Sequence, residues 1–344
     1  MTIREVGKKI ASLALLVPVL GTVVAVAAAQ EALVVTASNG AQNQLLVYST
    51  DGRLLQTIPT QGQGGVSGNA GGIETSGGLV AVVNFGSQNV SIFEGGHGGL
   101  KFRDLVPAVG SPVSVAFGAD HLYILTTTKV ESHRMWGTNV SSSPDGVVSL
   151  LVADGSAAQV GVVANQLIIS EKSNMIETVN LEADGAVSGA ASEVANIPSN
   201  VNAPFGLVTR GNDAYVTIAH ANEISLVRNG SVLTVTGSGT QSAPCWVTLV
   251  GPFLFSSNSP SKSVSRYAVY GQKIVQDAAV AASVSGNPTD IASGAGLIAV
   301  IDSDGTNSHL SVFSLDEDGN LTLLQTADTL ANGANGVAIV HAGY

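Results

Sequence analysis

The chain has 344 residues, of which only 11% are charged, whereas glycine occurs 40 times. The formal net charge of -11 at pH 7 argues against nucleic acids and anionic membranes as partners, since neither attracts an acidic surface. Abundant glycine with few charges is typical of many short strands joined by tight turns. The single cysteine, Cys245, cannot form an internal disulfide, and we expect it to be a buried small side chain.

Residues 1–29 have the pattern of a secretory signal peptide. Arg4, Lys8 and Lys9 precede an apolar stretch over residues 10–26, and three alanines at 27–29 provide a small-residue cleavage site. A membrane anchor is the alternative, because the apolar stretch approaches the length that spans a bilayer. Pro18 and Gly21 within it favour cleavage. We therefore predict a secreted protein that has no membrane contact after the leader is removed.

The remaining residues, 30–344, repeat one pattern: a small residue or proline, two variable positions and an aliphatic residue. It occurs at residues 70–73, 112–115, 157–160, 204–207, 244–247, 288–291 and 334–337. Successive starts are 42, 45, 47, 40, 44 and 46 residues apart, a spacing in the range of four-stranded propeller blades. The clearest copy, 287–328, contains four short apolar runs separated by glycine turns.

The two ends of this repeat complement each other. The last copy supplies a single strand, 337–340, whereas the region after the leader supplies three, 33–36, 45–48 and 54–57. One blade built from both ends would close the ring without an open sheet edge. We predict a single all-β domain, a seven-bladed β-propeller of four-stranded antiparallel blades, whose C-terminal strand joins the N-terminal blade.

Candidate site residues follow from this geometry, because the first strands begin on the same face as the loops after the second strands. We call this the upper face, and we expect ligands at the channel mouth there. Glu171 and His220 follow the second strands of adjacent blades, where a carboxylate and an imidazole could act as an acid–base pair. Turn formation and an ordinary rim histidine are the alternatives. Glu171 with Glu223 is the pair that glycoside chemistry would require.

Blade three departs from the repeat with about twenty extra residues, 126–145. Long loops in compact folds are usually functional or disordered. We predict that this one covers the channel mouth, with His133 or Arg134 binding a carboxylate and Trp136 an apolar or sugar face. Its second half, which contains three consecutive serines and a proline, is expected to be exposed to solvent.

Asp290 is the one ionisable residue at the positions where the first strands open, so we include it among the ligand-binding candidates. These positions do not supply the convergent carboxylates or histidines that a metal requires, and we expect neither a metal nor a cofactor. Asn-X-Ser/Thr sequons that could carry glycans occur at Asn89, Asn139, Asn229 and Asn320.

Three segments resemble the lactonase-like seven-bladed propellers, which include 6-phosphogluconolactonase-type proteins and the fungal 3-carboxymuconate cyclases. They are residues 167–171 (LIISE), 203–207 (APFGL) and 243–247 (APCWV). The resemblance implies a channel site in which His, Glu and Arg handle a lactone or a polycarboxylate, and Glu171 matches the family's Ser-Glu motif. The positions where the first strands open lack the basic residues that a tricarboxylate would require.

Two functions stay open from the sequence. One is a secreted lactonase-like or cyclase-like enzyme that opens or closes a lactone of a small carboxylated substrate. The other is a non-catalytic secreted binding or surface-antigen protein on the same fold, which the neutral strand openings favour. Either would act as a monomer.

Overall fold

A computed structural model of the chain describes residues 31–96 and 98–342. The predicted signal peptide lies outside them. Blade one contains β1 (Glu31–Ala37), β2 (Gln44–Ser49) and β3 (Leu54–Pro59); blade two contains β4 (Ile73–Ser76), β5 (Leu79–Asn84), β6 (Asn89–Gly96) and β7 (Gly99–Pro107). Blade three contains β8 (Pro112–Gly118), β9 (His121–Thr126), β10 (Lys129–Trp136), β11 (Asn139–Val140) and β12 (Gly146–Ser149). Blade four contains β13 (Ala157–Val163), β14 (Gln166–Glu171), β15 (Met175–Leu181) and β16 (Val187–Glu193).

The second half of the ring follows the same plan. Blade five contains β17 (Pro204–Arg210), β18 (Asp213–Ile218), β19 (Glu223–Arg228) and β20 (Ser231–Gly237), with a 3₁₀ turn at Ala219–Ala221. Blade six contains β21 (Pro244–Val250), β22 (Phe253–Asn258), β23 (Ser263–Tyr270) and β24 (Lys273–Ser283). Blade seven contains β25 (Asn287–Gly294), β26 (Leu297–Ser303), β27 (Ser308–Leu315) and β28 (Leu321–Asp328), and the last strand is β29 (Asn335–Ala342).

The predicted seven-bladed propeller and its closure are confirmed. Strand β29 pairs with β1 from Glu31↔Ala342 to Ala37↔Asn335, so blade one has the order β29-β1-β2-β3. This pairing joins the first and last described strands in one sheet. The ring is thereby closed, without the unpaired strand edges that an incomplete ring would expose. Among the described residues, no helix is long and apolar enough to cross a membrane.

The hydrophobic core lies between neighbouring blades. Second strands are apolar on both faces because a blade packs on each side of them; all six residues of β5, for example, are buried. Fourth strands form the outer rim and are largely exposed, as in β28.

Five blades have an irregular register where their first strand opens. The shifts lie at Pro112/Ser114, Ala157/Gln159, Pro204/Leu207, Pro244/Trp246 and Pro288/Asp290. An extra residue at such a bulge turns a side chain out of the regular pleat. In three of these blades the residue that directly follows the unpaired one, Gln159, Trp246 or Asp290, lines the central channel.

Blade three corrects one expectation. Residues 126–145 are not a long upper-face loop, because Lys129–Trp136 forms the third strand and pairs with β9 from Val130↔Leu125 to Arg134↔His121. Strand β10 continues past β9 and folds back as a short hairpin with β11. Third strands run from the upper face to the opposite, lower face. The end of β10 therefore lies on the lower face, away from the predicted channel mouth.

Candidate active site

The central channel contains a cavity that is lined by residues of all seven blades. Its volume is ≈ 320 Å³, which corresponds to about ten water molecules at ~30 Å³ each. The first strands supply its wall. The polar side chains among the described lining residues are Glu74, Thr75, Gln159, Thr209, Trp246, Thr248, Asp290 and Ser293.

Asp290 and Glu74 bring two carboxylates to this cavity from two different blades. Asp290 lies on β25 and is 5% exposed. Its Oδ1 accepts a hydrogen bond from the backbone N–H of Ile291 at 2.9 Å, and its Oδ2 accepts one from Val337 at 3.3 Å. Glu74 lies on β4, the first strand of blade two. Blade one, whose first strand is β29, lies between it and the blade of Asp290. The structure therefore places the predicted Asp290 in the channel together with a second acid that sequence reasoning missed.

The pKa of both carboxyl groups is displaced to near neutrality. Burial raises the pKa of Asp290 to about 7, against the opposing effect of its two backbone hydrogen bonds. The pKa of Glu74 also rises to about 7, first through burial and then through repulsion by Asp290. Glu74 is an exposed residue that faces the central channel. The seven blades around the channel still leave its carboxylate less well solvated than one on the outer surface. Two acids that share a cavity and titrate near pH 7 are suited to proton transfer.

The cavity contains no positive charge to balance these acids. Among the described lining residues there is no lysine, arginine or histidine. The Gln159 Oε1 atom accepts a hydrogen bond from the Leu207 N–H at 2.6 Å, and the hydroxyls of Thr248 and Ser293 lie 2.7 Å apart. The neutral polar groups are thus partly engaged with each other and with backbone, and the two acids dominate the electrostatics.

Residues 60–72 cross the upper end of the channel, and we call them the crossing segment. They link β3 to β4 and are the longest connection between described blades, the others having three to ten residues. The Trp246 indole donates to the Asn69 carbonyl at 2.9 Å, and the Asn335 amide donates to Asn69 Oδ1 at 3.0 Å. Ala70, which is 3% exposed, lines the cavity at this end. The channel mouth predicted to hold the ligand is therefore covered.

Glu171 and His220 are not brought together as a pair. Glu171 is fully buried and its Oε2 accepts a hydrogen bond from the Ser156 hydroxyl at 2.9 Å. Burial, more than its acidic neighbours, raises its pKa to about 8. His220 is exposed on the 3₁₀ turn of blade five. In the part of the chain that the structure describes, no hydrogen bond or ion pair joins His220 to Glu171.

Glu223, the partner proposed for Glu171 in a glycoside-active site, accepts a hydrogen bond from the Asn200 amide at 2.6 Å. It begins the third strand of blade five. Neither Glu223 nor Glu171 lines the central cavity.

The three candidates of blade three lie apart from the channel. His133 is fully buried, with Nδ1 2.8 Å from the Ser141 carbonyl and Nε2 3.5 Å from Glu131 Oε1. Arg134 forms ion pairs with Asp184 and, at 3.7 Å, with Asp145. Trp136 is 55% exposed at the end of β10. These side chains are engaged in the blade or face solvent on the lower face, so they do not share a cavity with Asp290.

Of the four sequon asparagines and Cys245, two residues are buried and three are exposed. Asn89 is 9% exposed, and its amide donates to the Ser87 carbonyl at 3.0 Å. Asn139, Asn229 and Asn320 are exposed. Cys245 is buried as expected, and burial raises its thiol pKa to about 12. No cluster of three or more His, Cys, Asp or Glu side chains within residues 31–96 and 98–342 could hold a metal ion.

Solved structures with the same fold include both lactonases and other propellers. The periplasmic gluconolactonase of Pseudomonas aeruginosa is 16% identical, with a TM-score of 0.65 over 91% of this chain and 99% of that one. A Bacteroides uniformis protein assigned as a 6-phosphogluconolactonase is 14% identical, with a TM-score of 0.64 over 91% and 100%. The propeller domain of Cps50 (Swd1) from Myceliophteria thermophila is 9% identical, with a TM-score of 0.61 over 80% and 92%.

No protein-family profile and no curated protein sequence matches the chain. The structural matches confirm the predicted propeller and its resemblance in fold to lactonase-like propellers. At these identities the likeness shows the fold alone.

Proposed function

We propose that this protein hydrolyses a lactone in the central channel, with Asp290 as general base and Glu74 as general acid. The proposal depends on one observation: two first strands project carboxylates into one cavity whose other described lining residues are uncharged. The shared fold with a gluconolactonase supports the lactone as the substrate class, although that likeness also extends to propellers of other kinds.

The two roles follow from the environments of the two acids. Backbone N–H groups at 2.9 and 3.3 Å favour the ionised form of Asp290. Glu74 makes no hydrogen bond in the described part of the chain, and the charge of Asp290 raises its pKa, so Glu74 keeps the proton. An ionised acid and a protonated acid in one cavity allow one group to accept a proton while the other donates one.

In the proposed reaction, Asp290 removes a proton from water as the water oxygen attacks the lactone carbonyl carbon. Glu74 donates its proton to the carbonyl oxygen, which gives a neutral tetrahedral intermediate. As the intermediate collapses, the bond between the former carbonyl carbon and the ring oxygen breaks and the ring oxygen takes the proton held by Asp290. The remaining hydroxyl returns its proton to Glu74 as the new carbonyl forms, which yields a hydroxy acid and restores both groups.

The test compares Glu74→Gln and Asp290→Asn with the wild type on a panel of lactones. We expect each substitution to lower kcat/KM by about 10²-fold or more, the usual contribution of general acid–base catalysis. Glu193→Gln, at an exposed position of the outer strand β16, is the matched control and should leave kcat/KM unchanged. Retained activity in both channel variants, with unchanged circular dichroism, would refute the proposal.

A non-catalytic binding protein is the second candidate, and the covered upper end of the channel favours it. This candidate predicts that a lactone can bind while no hydroxy acid forms. Following the wild-type reaction by the proton released from the product at pH 7 distinguishes the two. Acid release above the spontaneous rate contradicts the binding protein.

We also propose that the protein is exported after removal of residues 1–29 and acts as a monomer. The charged, apolar and small-residue order of the leader supports the export. Where the host glycosylates secreted proteins, Asn139, Asn229 and Asn320 are the expected acceptors and Asn89 is not. Mass spectrometry of protein from the culture medium would contradict this if residues 1–29 were still present, and light scattering reports the mass in solution.

A further inference from the structure

The crossing segment is fastened at its tip to four blades. The Asn69 amide donates to the Val113 carbonyl of blade three at 2.7 Å, and the Ala70 N–H donates to the Ala158 carbonyl ahead of Gln159 in blade four at 3.1 Å. The Lys172 ammonium of blade four donates to the Gly68 carbonyl. Together with the bonds from Trp246 and Asn335, which belong to blades six and one, these contacts hold the tip over the channel.

The base of the crossing segment is held equally well. Asn39 Oδ1 accepts hydrogen bonds from the N–H groups of Gly65 at 2.7 Å and Val66 at 3.0 Å, and its amide donates to the Val66 carbonyl at 2.8 Å. Val66 is 4% exposed and belongs to the hydrophobic core. A segment with its base in the core and its tip on four blades closes the upper end of the channel as part of the fold.

The lower end differs, since only the first-strand side chains themselves define it. Thr75, Thr209 and Ser293 line the cavity and lie next to the last residues of their strands. No described segment comparable to residues 60–72 crosses this end, because the connections there are tight turns between first and second strands. The route to Glu74 and Asp290 therefore runs from the lower face.

We infer that the channel is a blind pocket, entered from the lower face, that admits uncharged and cationic ligands and excludes anionic ones. The ionised Asp290, with no basic residue among the described lining, gives the pocket a negative potential, which ionisation of Glu74 would increase. A phosphorylated or carboxylated lactone would enter against this potential. The inference rests on the proposed function for the identity of the site, and it replaces the carboxylated substrate expected from the sequence.

The same charge has a consequence for turnover. Hydrolysis converts an uncharged lactone into a hydroxy acid, which ionises at neutral pH because carboxyl pKa values lie near 4. The acidic pocket would then repel its own product towards the lower face. Substrate selection and product release would thus depend on the same two side chains.

Thiol labelling tests the inference without any enzymatic assay. In the native protein Cys245 is buried and its thiol pKa is about 12, so an introduced cysteine reports alone. Thr209→Cys places the reporter in the pocket, and Ser192→Cys places a control on the exposed outer strand β16. Each is labelled with trimethylammonioethyl methanethiosulfonate and with the sulfonatoethyl reagent, which are similar in size and opposite in charge.

We expect the ratio of cationic to anionic labelling rates to be about tenfold or more higher at Thr209→Cys than at Ser192→Cys, since acidic clefts raise local cation concentration by such factors. Adding Glu74→Gln and Asp290→Asn should remove most of this preference. Equal ratios at the two positions would overturn the inference about charge. Charge preference with no lactone hydrolysis would refute the proposed function alone.

The route is tested in the Thr209→Cys background by loosening the closed end. Asn69→Ala removes the hydrogen bonds of this side chain to blades one and three. Lys172→Gln removes the ammonium contact to the Gly68 carbonyl and replaces Asn69→Ala in the test if that variant folds poorly. Entry from the lower face predicts an unchanged labelling rate in either variant. A severalfold increase would show that ligands pass the crossing segment, which would overturn the blind pocket.

Discussion

Replacing Glu171 by glutamine isolates the cost of one buried carboxylate. Its Oε1 atom has no hydrogen-bond partner in the described part of the chain, and its Oε2 accepts one hydroxyl. Glutamine has nearly the same shape and can accept the same hydrogen bond, but it cannot ionise. The variant should therefore keep the packing of the blade and lose only the titration.

The magnitude follows from the pKa. Burial raises the Glu171 pKa from 4.5 to about 8, and each pKa unit corresponds to about 1.4 kcal/mol, so ionising this group in the folded protein costs up to about 5 kcal/mol. The pKa of Glu171 is higher in the folded than in the unfolded protein. The stability that protonated Glu171 contributes is therefore fully present below pH 4.5 and is lost as the pH rises through about 8. The wild type should therefore weaken towards pH 9 by an amount that the variant does not share.

Urea unfolding of the two proteins between pH 4 and pH 9 measures this difference. We expect the free energy of unfolding of Glu171→Gln, relative to wild type, to rise by a few kcal/mol across this range. The control Glu193→Gln, at an exposed site, should show no such trend. If the difference between Glu171→Gln and wild type stays constant with pH, Glu171 is not the buried acid described here and the reasoning fails.

Two further predictions concern the crossing segment and the thiol. Trp246→Phe keeps the aromatic contact with Phe205, whose ring centroid lies 5.3 Å away, but leaves the Asn69 carbonyl without its indole donor. We therefore expect the free energy of unfolding in urea to fall by about 1–3 kcal/mol. Trp136→Phe, at a 55% exposed site, is the control, and equal effects of the two substitutions would contradict the role given to Trp246. Cys245 should not react with a thiol reagent at pH 8 until the protein is unfolded, because burial raises its pKa to about 12; rapid reaction of the native protein would show that the thiol is accessible.

The fold was predictable from the sequence because the repeat has a physical cause. Each blade must bury both faces of its second strand against neighbouring blades. A closed ring can be fastened by one blade that combines strands from both ends of the repeat, and the apolar runs that start at Leu33 and Val337 indicate such a blade. Apolar runs, glycine turns and their spacing record these requirements directly. The structure confirms them in β29 and β1.

The site was harder to predict for two reasons. Glu131 and His133 are polar residues that are fully buried in β10, so the alternation that marks a strand fails there and the strand resembles a loop. Glu131 is buried because it accepts hydrogen bonds from the Val109 N–H, at 3.2 and 3.3 Å. Contacts of this kind, made between a strand and the link that precedes its blade, leave no local signal in the sequence.

Glu74 shows the second reason. Asp290 was recognised as a channel residue because it lies where its strand opens, whereas Glu74 lies one residue beyond the aliphatic Ile73 that ends this motif. The closure of the upper end was equally hidden, since residues 60–72 have the composition of a flexible linker. Only the packing of Asn69 and Trp246 reveals a fixed cover.

A crystal structure of the protein soaked with an uncharged lactam, which mimics a lactone but resists hydrolysis, would show whether ligands bind in the channel beside Glu74 and Asp290. We predict density in the channel, with the lactam carbonyl within hydrogen-bonding distance of Glu74 and the channel open only at the lower face. Density elsewhere with an empty channel, for example beside Glu171 and His220 on the upper face or against Arg134 and Trp136 of blade three, would contradict it.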